Sequence, residues 1–385
     1  MLERLCHGEF PRKHHIALRD ASGRMRYEHC LTRVGFDGPY SILYHVNRPQ
    51  ALVAASDRPV TGGVQLTAAD ASPELRRRHY RGARISGTAI DGRVPLLTNA
   101  DVTISILKPV QDAATYFLNA DADELFFVRE GRGLVRSVFG DLAFGQNDYV
   151  GIPKGVIYRI QWETAAEVLL VECQGALSIP SQFRNPVGQL RMDAPYSHRD
   201  FRRPEFRGPI DEGIRTLVVQ RGAAHHEFRY AHSPLDVVGW DGTLYPWAFP
   251  ILAFQPRVSS VHLPPTWHGT FSTRGALICS FVPRPLDFHP EAVPCPYPHS
   301  SSDVDELIYY VSGAFSSRSG VEAGSLTLHP RGIPHGPQPG KYEASVGAKS
   351  TEELAVMLDC YLPLTATAEA RAIEDTGYEA SFADP

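Results

Sequence analysis

The sequence predicts an all-β-dominated fold: two jelly-roll β-barrels in one chain, preceded by a β-rich N-terminal arm. The 31 prolines and 32 glycines among 385 residues cut the chain into short runs that suit strands better than helices. Those runs are rich in branched and aromatic residues, such as ELFFVRE and AEVLLVEC early in the chain and ELIYYVSGAF and LAVMLDCYLPL late in it. A pattern of turn residues also recurs. Glu124, six residues and Gly131, followed by Pro153-Lys154-Gly155, return as Glu306, six residues and Gly313, followed by Pro330-Arg331-Gly332. Recurrence of this kind marks a duplicated unit.

In chain order, residues 1–100 form the arm, with PRKHHIALRD, YEHCLTRVGFDGPYSILYHV and GGVQLTAAD reading as strand-like runs between turns. His14-His15 reads as an exposed pair in a basic turn rather than a metal site. Residues 101–173 form the first barrel and 174–257 a connecting segment that packs on both barrels. Its arginines (Arg199, Arg202, Arg203, Arg207) read as surface partners of Asp200, Glu205 and Asp211, with a substrate carboxylate as the less favoured partner. Residues 258–365 form the second barrel, and 366–385 a tail with one short helical piece and a frayed end.

Composition narrows the function. With 43% hydrophobic and 21% charged residues the chain is globular, and its net charge of −5 argues against nucleic acid as a partner. No apolar run approaches the roughly 20 residues that span a membrane, and MLERLCHGEF has no apolar signal core, so a cytoplasmic protein is expected. Six scattered cysteines form no C-x-x-C pair and are expected as free thiols.

The chemistry concentrates in Pro296–Pro339. His299, Ser300, Ser301, four residues, Glu306, six residues and Gly313 are followed by Gly324, five residues, Pro330-Arg331-Gly332, two residues and His335. This resembles the two metal-binding motifs of a cupin barrel, with Ser301 where the second His of the first motif would stand. His299, Glu306 and His335 remain. Two imidazoles and one carboxylate leave positions open for substrate and O2, the ligand set of non-haem Fe(II) oxygenases, whereas Mg(II) and Ca(II) prefer oxygen shells. The first barrel carries Phe117, Asn119 and Tyr158 where imidazoles are required, so it is expected to be a metal-free structural copy. Among the other histidines, His268 follows the rigid turn Pro264-Pro265-Thr266-Trp267, and His329 lies six residues before His335.

Several stretches resemble the homogentisate 1,2-dioxygenase family in its shorter bacterial form. They are GEFPRKHHIALRD, DADELFFVREGRG, HLPPTWHGTF, HPEAVPCPYPHSSSDVDE and LHPRGIPHGPQPG. The resemblance implies Fe(II) on His299, Glu306 and His335, an acid/base role for His268, and a substrate pocket involving His329, Tyr297 and Phe315. It also implies a small dihydroxylated aromatic and O2 as reactants, and a homo-oligomer (trimer or hexamer). Three positions depart from the family pattern. Ser301 stands where members carry Asn, and Phe315 where some carry Tyr. The turn is one residue longer, which makes Asp305 a rival carboxylate ligand. These departures bear on the choice among homogentisate, gentisate and hydroquinone.

Overall fold

The computed structural model describes residues 3–55, 60–61, 75–82, 93–109 and 112–383; the run at 62–70 lies outside them. Strands dominate. In the first barrel a seven-stranded sheet is built on Asp123–Glu130, Glu167–Cys173 and Val102–Leu107. It faces an eight-stranded sheet containing Gly133–Ser137, Tyr158–Trp162 and Thr216–Arg221. The second barrel has a six-stranded sheet built on Ala276–Phe281, Leu354–Cys360, Asp305–Ser312 and Leu326–His329. Opposite it, among the described residues, stand only the two-stranded ribbon Arg284–Pro285/Ser350–Thr351 and the bridge between His299 and His335.

The period-two alternation of strands decides what each face buries. In Asp123–Glu130, Phe126 and Val128 enter the first barrel's own core, while Leu125 and Phe127 pack toward the second barrel. A strand buried on both faces reads as a continuous apolar run, which is why ELFFV does not alternate. In Asp305–Ser312, Leu307, Tyr309 and Val311 join that shared core, and Glu306 and Ile308 line a cavity inside the second barrel. The largest core is thus the contact between the two barrels' main sheets. Tyr309 donates to Glu167 Oε1 at 3.0 Å across it, and Arg129 and Lys108 neutralise that carboxylate at 2.7 and 3.2 Å.

The duplication extends to irregularities. Asp123 accepts from the backbone N–H of Lys154 and Leu177, and Asp305 from those of Arg331 and Leu364. The ladder shifts register between Val128 and Glu130 in one copy and between Tyr310 and Ser312 in the other. Gly131 and Gly313 turn at φ of 97° and 91°. Gly324 has φ of 82°, and a Cβ there would lie 2.6 Å from Glu167 Oε1, so conformation and close approach both require glycine.

Strand pairing crosses the boundaries expected at residues 100, 173, 257 and 365. Arg93–Thr98 pairs with Val102–Leu107, and Arg78–Tyr80 with the second barrel's Leu326–His329. Thr216–Arg221 and Trp247–Pro250 complete the first barrel's sheets. The rest of the arm forms a four-stranded sheet with Val237–Gly242. The tail holds the short helix Ala368–Ala372, but the described residues beyond that helix are docked rather than frayed. Tyr378 is buried, Glu379 pairs with Arg77 at 2.9 Å, and Ser381 binds Gln338.

Candidate metal centre and its cavity

Glu306 is the second residue of its strand, and the hydrogen bonds of its neighbour Asp305 fix which carboxylate faces inward. Asp305 points away, its two oxygens occupied by the amides of Arg331 and Leu364 at 2.9 and 2.8 Å. Glu306 therefore turns into the barrel. His299 and His335 are brought opposite each other by reciprocal backbone hydrogen bonds of 2.8 Å, and their rings lie 4.2 Å apart. Glu306 Oε2 lies 4.0 Å from His299 Nε2 and 3.8 Å from His335 Nε2. One donor atom from each of the three falls within 4.8 Å of the others.

The surroundings prepare these donors. His299 Nδ1–H donates to the Tyr297 carbonyl at 3.1 Å, which leaves Nε2 facing the carboxylate. His329, fully buried, donates Nδ1–H to Glu306 Oε1 at 2.7 Å and accepts from Tyr378 Oη at 3.2 Å through Nε2. Burial pushes the Glu306 carboxyl up, but the hydrogen bond from His329 and the nearby ring of His335, 3.8 Å away, outweigh it and hold the group well below the usual carboxylate range. Both ring nitrogens of His335 are buried without a hydrogen-bond partner among the described residues. A buried imidazole left this way costs free energy that a metal ion on Nε2 would offset.

Charge in the two barrels makes the same point. In the first barrel Arg93 lies 2.6 Å from Glu124 and 2.9 Å from Glu172, with its guanidinium over the Phe117 ring. Asn119 and Tyr158 complete that cluster at 2.8 Å from Glu172 and Glu124 respectively. The corresponding pair in the second barrel is Glu306 and, across the ladder, Asp359. No arginine or lysine of the described residues forms an ion pair with either. Burial, then Glu306, pushes Asp359 up to about 7. The donor set fits a divalent metal that prefers nitrogen and oxygen together.

The three donors share a cavity of about 260 Å³, walled by Phe281, Ile308, Met357 and Pro294, with His262, His268, Arg284 and Glu353 among its polar members. The residues that sequence reasoning assigned to catalysis (His268) and to substrate (His329, Tyr297, Phe315) are arranged differently. His268 lines the cavity. His329 sits behind Glu306, where it orients the carboxylate instead of touching the cavity. Tyr297 contributes its carbonyl to His299, and its ring is about half exposed. Phe315 packs on Tyr310 at 4.6 Å, leaving its neighbours Ser316 and Ser317 on the wall.

Sequence reasoning missed His262, Arg284, Arg318 and Tyr378. Burial and then Arg284 and His262 push His268 down to about 3, so it is neutral at physiological pH. His262 lies 3.6 Å from Asp287, an acidic partner that opposes the lowering of its pKa by burial. Arg318 donates to the carbonyls of Ser317 and Gly336 at 3.1 and 2.8 Å, tying one cavity loop to the residue after His335. His262 was visible as one of several unassigned histidines; the others carried no spacing signal.

Fold and site together define a double-barrel protein with one His/Glu/His centre of the metal-binding kind. Residues 88–251 match the profile described as homogentisate 1,2-dioxygenase N-terminal. A presumed dioxygenase of Saccharolobus solfataricus is 33% identical over 386 residues, covering 97% of each chain. The homogentisate 1,2-dioxygenases of Bradyrhizobium diazoefficiens and Pseudomonas putida are each 26% identical. They match 66% and 67% of this chain and 59% and 62% of their own lengths. The chain belongs to the homogentisate 1,2-dioxygenase family. Among solved structures, a cupin 2 conserved barrel domain protein from Leptotrichia buccalis is 11% identical at a TM-score of 0.31, over 80% of this chain and 98% of its own.

Proposed function

We propose that this protein is an Fe(II)-dependent ring-cleaving dioxygenase that converts homogentisate and O2 to maleylacetoacetate. The observation that carries the reading is the convergence of His299, Glu306 and His335, with both His335 nitrogens unpartnered, on the wall of a largely apolar cavity. Bound to that triad, iron would supply the redox chemistry and the open coordination positions at which a phenolate and O2 meet.

The chain's own residues do the rest. Phe281, Ile308 and Met357 hold the ring and exclude water. The phenolic proton must leave for a base. Family resemblance gives that role to His268, but an imidazole with a pKa of about 3 is a poor base near neutrality. His268 is suited to accepting a hydrogen bond, and His262, 3.6 Å from Asp287 but itself lowered by burial, is the second imidazole on the wall. His329 and Tyr378 keep Glu306 ionised and aimed. Cytoplasmic location and homo-oligomeric assembly belong to the same reading; among the described residues no helix is long and apolar enough to cross a membrane.

The experiment is O2 uptake by Fe(II)-reconstituted protein with homogentisate, beside gentisate and hydroquinone. Uptake with homogentisate, lost together with bound iron in His335→Ala, is expected. Stoichiometric iron with uptake only on another dihydroxylated aromatic would move the substrate and keep the chemistry. Absence of iron binding after anaerobic purification would remove the dioxygenase reading and leave a small-molecule-binding barrel.

A further inference from the structure

We infer that Arg318 is a positioning residue for the metal centre: its guanidinium fixes His329 as the tautomer with its proton on Nδ1, and through that imidazole aims Glu306 at the metal position. The inference rests on the proposed loading of the centre with a metal, and it assigns the group that sets the direction of the hydrogen bonds behind it.

Several arginines of this chain meet carboxylates directly. Arg93 has Glu124 and Glu172, Arg129 has Glu167, and Arg159 has Glu212. In the connecting segment Arg202 pairs with Asp148, Arg203 with Glu3 and Arg207 with Glu205. Arg318 differs. It is only 5% exposed, yet among the described residues it forms no ion pair, and its Nε is buried without a partner. Its Nη1 donates to the carbonyls of Ser317 and Gly336 at 3.1 and 2.8 Å, which anchors the guanidinium plane. Its Nη2 meets an imidazole instead of an acid, 3.4 Å from His329 Nε2.

Hydrogen-bond direction then decides the tautomer. A guanidinium carries donors and no acceptor. His329 Nε2 must therefore present its lone pair to Nη2, and the single ring proton must sit on Nδ1. That proton is the one donated to Glu306 Oε1 at 2.7 Å. Tyr378 Oη, 3.2 Å from the same Nε2, does not force this choice, because a hydroxyl both donates and accepts. With Oε1 held, Oε2 is the oxygen left facing the Nε2 atoms of His299 and His335, at 4.0 and 3.8 Å. Arg318, His329 and Glu306 thus form a chain in which a cation and a carboxylate are joined through a neutral ring. In the first barrel the cation touches the acid directly. Arg93 lies 2.6 Å from Glu124 Oε1, and Tyr158 takes Oε2 at 2.8 Å, so both oxygens are occupied. The interposed imidazole of the second barrel orients one oxygen and leaves the other to a metal.

The competing account is that Arg318 only ties Ser317 to Gly336, the residue after His335. A double-mutant cycle separates the two. Zn(II) affinity of the full-length protein is measured by competition with a chelator in wild type, Arg318→Met, His329→Ala and the double variant. Arg318→Met should weaken Zn(II) binding by about 10- to 100-fold in the wild-type background and by less than about 2-fold once His329 is Ala. An equal loss in both backgrounds would overturn the inference. The second readout is nitrogen NMR of protein labelled with 15N-histidine, the His329 signals being assigned by their absence in His329→Ala. Wild type should carry the ring proton on Nδ1 alone, and Arg318→Met should lose that restriction. A proton on Nε2 in wild type, or an Nε2 that stays proton-free in the variant, would overturn it equally. If Arg318→Met does not fold, Arg318→Gln, whose amide both donates and accepts, is read in the same way. Neither measurement uses substrate or O2, so failure of the dioxygenase reading leaves both intact, and the NMR readout on metal-free protein decides even if Zn(II) does not bind.

Discussion

Replacing Arg93 by Met should destabilise the first barrel without touching the metal centre. Arg93 holds two buried carboxylates, Glu124 at 2.6 Å and Glu172 at 2.9 Å, and covers the Phe117 ring at 4.3 Å. Removing one partner of such a cluster leaves uncompensated charge in the interior and costs about 3–5 kcal/mol. At about 2–4 °C per kcal/mol, Tm should fall by roughly 6–20 °C, measured by scanning calorimetry with iron content followed in parallel. The deficit should depend on pH with a definite sign. Burial already raises Glu124 above its ordinary 4.5, against the pull of Arg93. Without Arg93 its folded pKa rises further, so the folded variant holds a proton that the unfolded chain has lost. The difference from wild type should therefore be small below about pH 4.5 and grow as pH rises through the new folded pKa. Glu124→Gln added to Arg93→Met should recover part of the loss. A variant that melts within about 2 °C of wild type at neutral pH, or whose deficit grows on acidification, would refute this account of the cluster.

Other contacts give further expected outcomes. His329→Ala removes the donor that orients Glu306 and should weaken metal binding by about 10- to 100-fold, read by competition with a chelator, while Tyr378→Phe, one step further out, should cost less. Glu167, whose carboxyl burial raises but Arg129 and Lys108 hold below 4.5, contributes stability above that pH that is lost as pH falls through its lower folded value; Glu167→Gln should flatten this acid limb in a melting series. Gly324→Ala adds a Cβ that would meet Glu167 Oε1 at 2.6 Å on top of a positive φ, whereas Gly332→Ala, with φ of 89°, meets nothing within 4 Å. The second should cost about 1–3 kcal/mol from strain alone, and the first measurably more, by comparison of their melting temperatures.

What was legible in the sequence was what local geometry fixes. Gly313, Gly324, Gly332 and Pro330 are turn residues whose spacing is set by strand length, and the triad residues stand at fixed offsets from them. The choice between Asp305 and Glu306 was not legible, because adjacent strand residues face opposite sides and only the amides of Arg331 and Leu364 reveal which side is which. His329 illustrates a subtler limit. Its spacing suggested the site, and it is at the site, but the intervening turn hides that it stands behind Glu306 rather than before it. Arg284, Arg318 and Tyr378 reach the centre through tertiary contacts alone. The strands at Arg78–Tyr80 and Arg93–Thr98 fell in an arm whose short runs gave no indication of which barrel they would extend.

The two copies also show one scaffold carrying two different treatments of its inward acids. Pro95 pairs with Ser105 in the first barrel and Gly269 with Cys279 in the second, and both ladders shift register immediately afterwards. The residues just before these pairs therefore occupy equivalent places. In the first barrel that place sends Arg93 to two buried acids, which it holds as a fixed cation. In the second it is filled by the Trp267-His268 turn, whose imidazole lines the wall without reaching Glu306 in an ion pair. Glu306 there is left to histidines. A permanent cation satisfies the acids of the first barrel, whereas the proposed function gives the donors of the second to a metal that can be loaded and removed.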